Sequence, residues 1–325
     1  MSRTAHTLAA TLLTLTAITT ACAPGTADHS RLKIGVVELF SNPFFAEARA
    51  GMEKAAAEGD ADLVINNANA DSAKEAGFVT TYLTQKVDAI VLSAVSPTGS
   101  LATLHRIKAA HVPVVCYDTC VNPPDDQQLV DAFVTSDNRG LGATTGRQAA
   151  TYIRDELSGS AKAIMLTCEE FDVCKQRRTG LDAELAAVHV DLLAEQEGYQ
   201  VDKATPIANS MLAAHPDAQV IIAENEDAIL AAATAVKARG LTGKVAIFGI
   251  DIDPQVALLI TQPATDVKWT TGQSPFDMGY QAVQAAIARA HGRPAGDFYH
   301  HTPSPTFSSA DPASARNYLD SHHTN

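Results

Sequence analysis

The chain has 325 residues, 46% of them hydrophobic and 19% charged, which is enough apolar content for two domains of ordinary size. The net charge of −13 argues against nucleic acid as a partner, because a phosphate backbone needs a basic footprint. Past the N-terminal leader, no apolar run is long enough to span a bilayer.

The leader reads as a targeting segment over residues 1–21. Arg3 supplies a positive end, residues 8–18 form the apolar centre, and Thr19, Thr20 and Ala21 are small. Cys22 follows directly and resembles a lipobox cysteine, which would be acylated and become the first mature residue. Ordinary cleavage at the A-x-A stretch Ala21-Cys22-Ala23 is the competing reading. Cysteine arithmetic favours the lipid. With Cys22 as the anchor, Cys116, Cys120, Cys168 and Cys174 remain, an even number for an oxidising compartment. Residues 22–31 then form a tether.

From there strand and helix patterns alternate. Residues 32–37 are a short β-branched run, predicted as a buried strand. Ser41-Asn42-Pro43 stops it, since Pro43 has no N–H for a ladder but suits the first turn of a helix. Residues 45–59 carry Phe45, Ala48, Met52, Ala55 and Ala56 at helical spacing. Strands at 63–65, 89–92 and 112–117 alternate with helices over 71–85, where Asp71 is the N-cap, and over 97–110. A second round places strands at 129–134, 163–166, 188–193, 219–223, 245–250 and 266–271. Its helices fall at 139–157, 175–187, 207–215, 228–239, 254–260 and 276–291. The tail from Pro294 is rich in Pro, Ser and His and reads as irregular. The alternation predicts parallel doubly wound sheets, and the second round predicts a second lobe like the first.

Polar residues gather just past the strand ends. Glu38 and Asn42 follow the first strand, Asp118 follows 112–117, and Asn225, Asp251 and Gln273 follow three strands of the second round. In open α/β sheets that edge is where ligands bind. Any one of these residues has a bland role as a helix N-cap. Six of them on the equivalent edge of both lobes predict a cleft lined with hydrogen-bonding groups, with the rings of Phe44 and Phe45 beside them.

These stretches, in this order and over nearly the whole mature chain, resemble the periplasmic sugar-binding proteins of ribose-binding type, the ligand-capturing subunits of ABC importers. Ser41-Asn42-Pro43-Phe44-Phe45 resembles the family's opening Asn-Pro-Phe-Phe. Residues 113–118 resemble its Pro-Val-Ile-x-x-Asp, and Ser136-Asp137-Asn138 its crossover segment. Ala214-His215-Pro216-Asp217 followed by Ala223-Glu224-Asn225-Glu226 resembles the stretch with the cleft Asn. Gly249-Ile250-Asp251 and Gln273-Ser274-Pro275 resemble the last two motifs.

The resemblance implies an α/β fold of two doubly wound parallel-sheet lobes joined by a hinge, the type I periplasmic binding protein architecture. The N-lobe would be 32–135 plus 275–300, the C-lobe 136–274, with a C-terminal segment 301–325. It implies that Asn42 and Asp118 hydrogen-bond ligand hydroxyls and that Phe44 and Phe45 cover a sugar face. Arg177 would fork across two hydroxyls, and Asn225, Asp251 and Gln273 would complete the far side, with Tyr199 near a family aromatic. The chemistry fits, because vicinal hydroxyls pair with planar carboxylates, amides and guanidinium, while rings take the C–H face. Two departures stand out. Thr119 replaces the Arg that often follows the cleft Asp, and Glu38 replaces a small hydroxyl residue. Both predict a more acidic pocket, suited to a polyol, a different monosaccharide or an amine-bearing ligand rather than ribose.

Cys116 and Cys120 flank Asp118, and Cys168 and Cys174 lie just before Arg177, so the pairs 116–120 and 168–174 are expected to close small loops at the cleft rim. The cysteines lack C-x₂-C zinc spacing. Gly140, Gly142 and Gly146 miss the dinucleotide-binding spacing and read as small residues for close helix packing. His300, His301, His322 and His323 are expected to be solvated.

The expectation is thus an extracytoplasmic, lipid-anchored, monomeric solute-binding protein. It closes its lobes on a monosaccharide or polyol and delivers it to an ABC permease, without catalysis, cofactor or metal. A ligand-sensing subunit for a receptor kinase is one alternative. A secreted hydrolase using Asp118 and Asp251 as an acid/base pair is another.

Overall fold

The computed structural model describes Met1 and residues 31–322. The targeting segment, Cys22, the tether up to residue 30 and His323 lie outside the described residues.

The first round runs β1 (Leu32–Glu38), α1 (Pro43–Glu58), β2 (Ala61–Asn67), α2 (Ser72–Thr84), β3 (Ala89–Leu92), α3 (Leu101–Ala109), β4 (Val114–Tyr117), α4 (Asp125–Leu129) and β5 (Ala132–Ser136). The second runs α5 (Asn138–Glu156), β6 (Ser160–Thr167), α6 (Asp172–Leu185), β7 (His189–Glu197), α7 (Val201–Ala214), β8 (Val220–Ala223), α8 (Glu226–Ala238), β9 (Ala246–Ile250), α9 (Pro254–Thr261) and β10 (Val267–Thr271). The chain ends with α10 (Pro275–Ala290), β11 (Tyr299–Thr302), β12 (Thr306–Ser308) and α11 (Ala313–His322).

Two six-stranded sheets result, in the orders β11-β5-β4-β3-β1-β2 and β12-β10-β9-β8-β6-β7. Only the β10–β12 pairing is antiparallel among them. Without β11 and β12 the two orders are the same, each reversing direction once, between β1 and β3 and between β6 and β8. That reversal leaves a crevice at the carboxyl ends of the strands. The central strands β3, β4 and β8 are buried at every position and read as unbroken runs of Ala, Val, Ile and Leu with one Cys and one Tyr. Helices cover both faces of a parallel sheet, so no face is left for polar residues. The chain passes from one sheet to the other three times, at 136–138, 272–275 and 303–305.

Each lobe has a helix pair in backbone contact. A Cβ on Gly142 of α5 would lie 1.8 Å from the Arg177 carbonyl of α6, and one on Gly180 would lie 2.0 Å from the Arg139 carbonyl. Gly51 of α1 and Gly279 of α10 each stand 2.0 Å, on the same measure, from a carbonyl across their own pair. The glycines at 142 and 146 therefore serve close packing, and in doing so fix the height of Arg177.

The sequence reading differs from the structure most in three places. Residues 129–131 are not strand: α4 ends at Leu129 and β5 begins at Ala132. Helix α7 begins at Val201 and runs through Pro206, forfeiting one backbone bond in its second turn, although proline reads as a start signal in sequence. The tail from Pro294 is ordered into β11, β12 and α11, which bury Phe307, Ala315 and Leu319. The histidines there are not simply solvated. His300 is half-buried in β11, with its Nε2 enclosed. His322 stacks on Tyr318 at 3.9 Å and stands 3.3 Å from Glu47 of α1, while His301 is exposed.

Candidate functional site

A cavity opens where the carboxyl edges of the two sheets meet. Its wall comes from the loop after β1, the start of α1, the turn after β4, the β6–α6 loop, the first turns of α6, Tyr199 between β7 and α7, and the start of α8. The volume is ≈ 70 Å³, on the order of five to seven water molecules.

Seven of the ten predicted ligand residues line it: Asn42, Phe44, Phe45, Asp118, Arg177, Tyr199 and Asn225. Asn42 and Asn225 also fill the N-cap role. Asn42 accepts from the Phe45 N–H at 3.2 Å, and Asn225 from the Ala228 N–H at 3.1 Å. Each amide nitrogen then reaches a second partner, Glu226 for Asn42 at 3.1 Å and the Tyr199 carbonyl for Asn225 at 2.9 Å. The first of these bonds spans the cleft, since Asn42 caps α1 and Glu226 begins α8.

Phe44 and Phe45 are both buried, with ring centroids 5.2 Å apart. Phe45 meets Phe40 at 6.2 Å, Phe40 meets Tyr199 at 6.4 Å, and Tyr199 meets Phe171 at 5.8 Å. Four rings therefore run in a chain from one lobe to the other. The Tyr199 hydroxyl donates to Glu170, and Glu169 accepts from Arg178, so neither glutamate of that loop needs an unpaired charge facing water.

Arg177 is 4% exposed, and its nitrogens are held at three points. Nε donates to Asn138 Oδ1 at 2.9 Å, Nη1 donates to the Glu224 carbonyl at 2.8 Å, and Nη1 stands 3.5 Å from Asp251. Asp118 takes a single bond, from the Ser93 hydroxyl at 3.3 Å. Burial pushes its carboxyl up to about 7; nearby Arg177 opposes the rise and Asp251 adds to it.

Glu38, Asp251 and Gln273 do not line the cavity. Glu38 is 1% exposed and receives both arms of the Arg49 guanidinium, at 2.9 and 2.5 Å. Its charge is answered inside the N-lobe, which removes the reason for taking it as a source of pocket acidity. Asp251 and Gln273 belong to a buried network at the crossovers. Gln273 donates to Asp251 at 2.7 Å and accepts from the Ser136 hydroxyl at 2.7 Å.

The sequence reading misses Glu226, Phe40 and Phe171, which line the cavity. Glu226 is 4% exposed, and burial, reinforced by Asp251 and Asp227, drives its carboxyl well above the usual range. It stands one residue past the cleft Asn, where an acid reads as ordinary first-turn decoration of a helix. In sequence Asn138 is only part of a crossover motif, yet it orients Arg177.

The structure pairs Cys116 with Cys120 and Cys168 with Cys174, each with Cα atoms 5.6 Å apart. The second bridge forms part of the cavity wall. Cys168, Cys174 and Glu224 come within 4.8 Å of one another, but metals bind thiolates, and both sulfurs are tied in the disulfide. No helix among the described residues is long and apolar enough to cross a membrane.

Comparison with known proteins agrees with this architecture. The family described as periplasmic binding protein domain matches residues 35–294. The chain is 34% identical to the ABC transporter periplasmic-binding protein YphF of Escherichia coli (strain K12) over 235 residues, 71% of this chain and 72% of that one. It is 27% identical to the ribose import binding protein RbsB of Bacillus subtilis (strain 168) over 259 residues, 79% of this chain and 81% of the other. In fold it is similar to an ABC transporter solute binding protein from Bacillus halodurans C-125 with bound myo-inositol. The TM-score is 0.79 at 19% identity, covering 91% of this chain and 99% of that one. Matched over most of its length, the chain belongs to the periplasmic binding protein domain family.

Proposed function

We propose that this protein captures a monosaccharide or a polyol in the cleft and delivers it to an ABC importer, without transforming it. The observation that carries the reading is the cavity itself. Rings and planar polar groups from both lobes converge on it, at the strand edges where α/β sheets bind ligands. The named relatives, an ABC periplasmic-binding protein, a ribose import binding protein and a structure holding myo-inositol, support the same class. The mixed lining of rings and planar polar groups suits a polyol or a monosaccharide, with closure of the lobes completing the contacts. Asp118, Arg177, Asn42 and the rings of Phe44, Phe45 and Tyr199 are the proposed contacts. Asp251 and Gln273 act behind Arg177. The mature protein is a monomer held outside the cell membrane by a lipid on Cys22.

A thermal-shift screen over sugars and polyols tests the reading. A true ligand at a hundred times its Kd stabilises by about 3 kcal/mol. Asp118→Ala and Arg177→Ala should each weaken the hit at least tenfold. A screen in which only peptides or metal ions raise the melting temperature sinks the proposal, and turnover of a bound sugar replaces it with a hydrolase.

A further inference from the structure

We infer that the cleft selects a hydroxylated ligand bearing a positively charged amine, an amino polyol or amino sugar, over its neutral counterpart; the inference rests on the sugar-or-polyol reading above. The first ground is the charge on the cavity wall. Asp118 and Glu226 line it, and Arg177 is the one cation among the described lining residues. Arg177 is already engaged, by Asn138, the Glu224 carbonyl and, at 3.5 Å, the Asp251 carboxylate behind the wall. None of the ion pairs among the described residues involves Asp118 or Glu226. Two acidic side chains therefore face a small space of low dielectric without an ion-pair partner, and burial holds both toward their neutral form. A ligand cation beside them favours the charged form of each and pairs with it.

The second ground is hydrogen-bond capacity. Several donors on the wall are committed: one N–H of Asn42 to Glu226, one of Asn225 to the Tyr199 carbonyl, the Thr119 hydroxyl to the Ala94 carbonyl, and Tyr199 to Glu170. The acceptors are not. Asp118 receives the 3.3 Å contact from Ser93 and Glu226 the Asn42 amide, and each carboxyl has further lone pairs to offer. A hydroxyl both donates and accepts, whereas an ammonium only donates, which is what this wall can satisfy.

The third ground is the ring chain Phe45–Phe40–Tyr199–Phe171. Its centroids are 5.8–6.4 Å apart, and the neighbouring planes are turned by 49–82°. All four rings border the cavity, and a cation within about 6 Å of a ring face is attracted to it. Rings alone would serve a neutral sugar equally well; rings together with two unanswered carboxylates do not.

The test is titration calorimetry on the intact protein with matched pairs: serinol and glycerol, glucamine and sorbitol, glucosamine and glucose, an aminodeoxyinositol and myo-inositol. In the best-binding pair the amine should bind at least tenfold more tightly. Its N-acetyl derivative, equally hydroxylated but neutral, should lose that advantage. Asp118→Asn and Glu226→Gln should each reduce the amine's advantage by tenfold or more. If the neutral member of the best pair binds as tightly as the amine, the inference is overturned while the sugar-or-polyol reading stands. If no member of any pair binds, both fall. The N-acetyl comparison uses the wild-type chain, so its outcome does not depend on either variant folding.

Discussion

Glu224 offers the sharpest test of the physical picture. It follows β8, is 2% exposed, and accepts the Cys168 N–H at 2.9 Å through one oxygen while the other is enclosed without a partner. Burial lifts its carboxyl to about 8 from an ordinary 4.5, with the Cys168 N–H and Arg177 opposing the rise and Glu169 adding to it. A folded pKa above the unfolded one sets the sign. The folded state is at no disadvantage below pH 4.5, and stability is lost as pH climbs through 8, because the unfolded chain sheds its proton first. Each unit well inside that window costs about 1.4 kcal/mol, so the stretch from pH 6 to pH 8 removes about 2 kcal/mol and the loss levels off above pH 8. Glu224→Gln keeps an acceptor for Cys168 but cannot ionise. Its extra N–H group, facing the enclosed oxygen's place, costs about 1–3 kcal/mol at every pH alike. Urea unfolding of wild type and variant at pH 6, 7, 8 and 9 separates the two effects. The stability difference should move by about 3 kcal/mol in the variant's favour across that range. A difference that stays constant across the series refutes the assignment of a buried, proton-holding carboxyl at this position.

Two further substitutions probe the N-lobe and the helix contact behind Arg177. Arg49→Ala strips the buried Glu38 carboxylate of both its bonds and should cost about 3 kcal/mol in urea unfolding. Ligand affinity should stay within about twofold, and a tenfold loss would return Glu38 to the binding surface. Gly142→Ala forces a methyl into the Arg177 carbonyl and should both destabilise the fold by at least about 3 kcal/mol and weaken ligand binding as α6 moves away. Gly77→Ala in α2, where an added methyl meets no atom within 4 Å, should instead stabilise by about 0.5–1 kcal/mol. Equal effects at the two glycines would contradict the close-packing account.

Much of this architecture is legible in the sequence because parallel sheets write their topology plainly. Strands β3, β4 and β8 are buried on both faces, so each appears as a compact apolar run, and the polar residue ending the run marks the cleft edge. Asn42, Asp118 and Asn225 are found that way. Spacing does not tell where a strand's last side chain points. Glu38 ends β1 and, by its place in sequence, faces the cleft, yet Arg49 lies one helical stretch on and draws the carboxylate under α1. Phe40 and Phe171 sit in loops without periodicity, so nothing in the pattern distinguishes a cavity wall from a surface. The edge strands β11 and β12 are four and three residues long, half polar, and shaped by the strands they join rather than by their own alternation.

The two lobes share one strained feature and use it differently. Asp118 follows β4 with φ of 60°, and Asp251 follows β9, the strand in the same place of the second sheet, with φ of 77°. Both lie in the left-handed region, where a residue with a side chain costs of order 1 kcal/mol, and aspartate is among the few that tolerate it. Strain at matched positions follows from the matched folds and does not itself assign a role; the neighbours do that. Asp251 is bonded by Gln273 and approached by Arg177, so its charge is absorbed into the network that ties the crossovers at Ser136, Asn138 and Gln273 to the cleft arginine. Asp118 is bonded only by the Ser93 hydroxyl, Arg177 acts on it without an ion pair, and Thr119 brings no cation beside it. The N-lobe wall thus keeps an acid unanswered while the C-lobe acid is neutralised. Glu226, reaching across to Asn42, adds a second acid to that side of the cleft. The acidity expected from Glu38 is therefore present in the pocket, but it comes from Asp118 and Glu226.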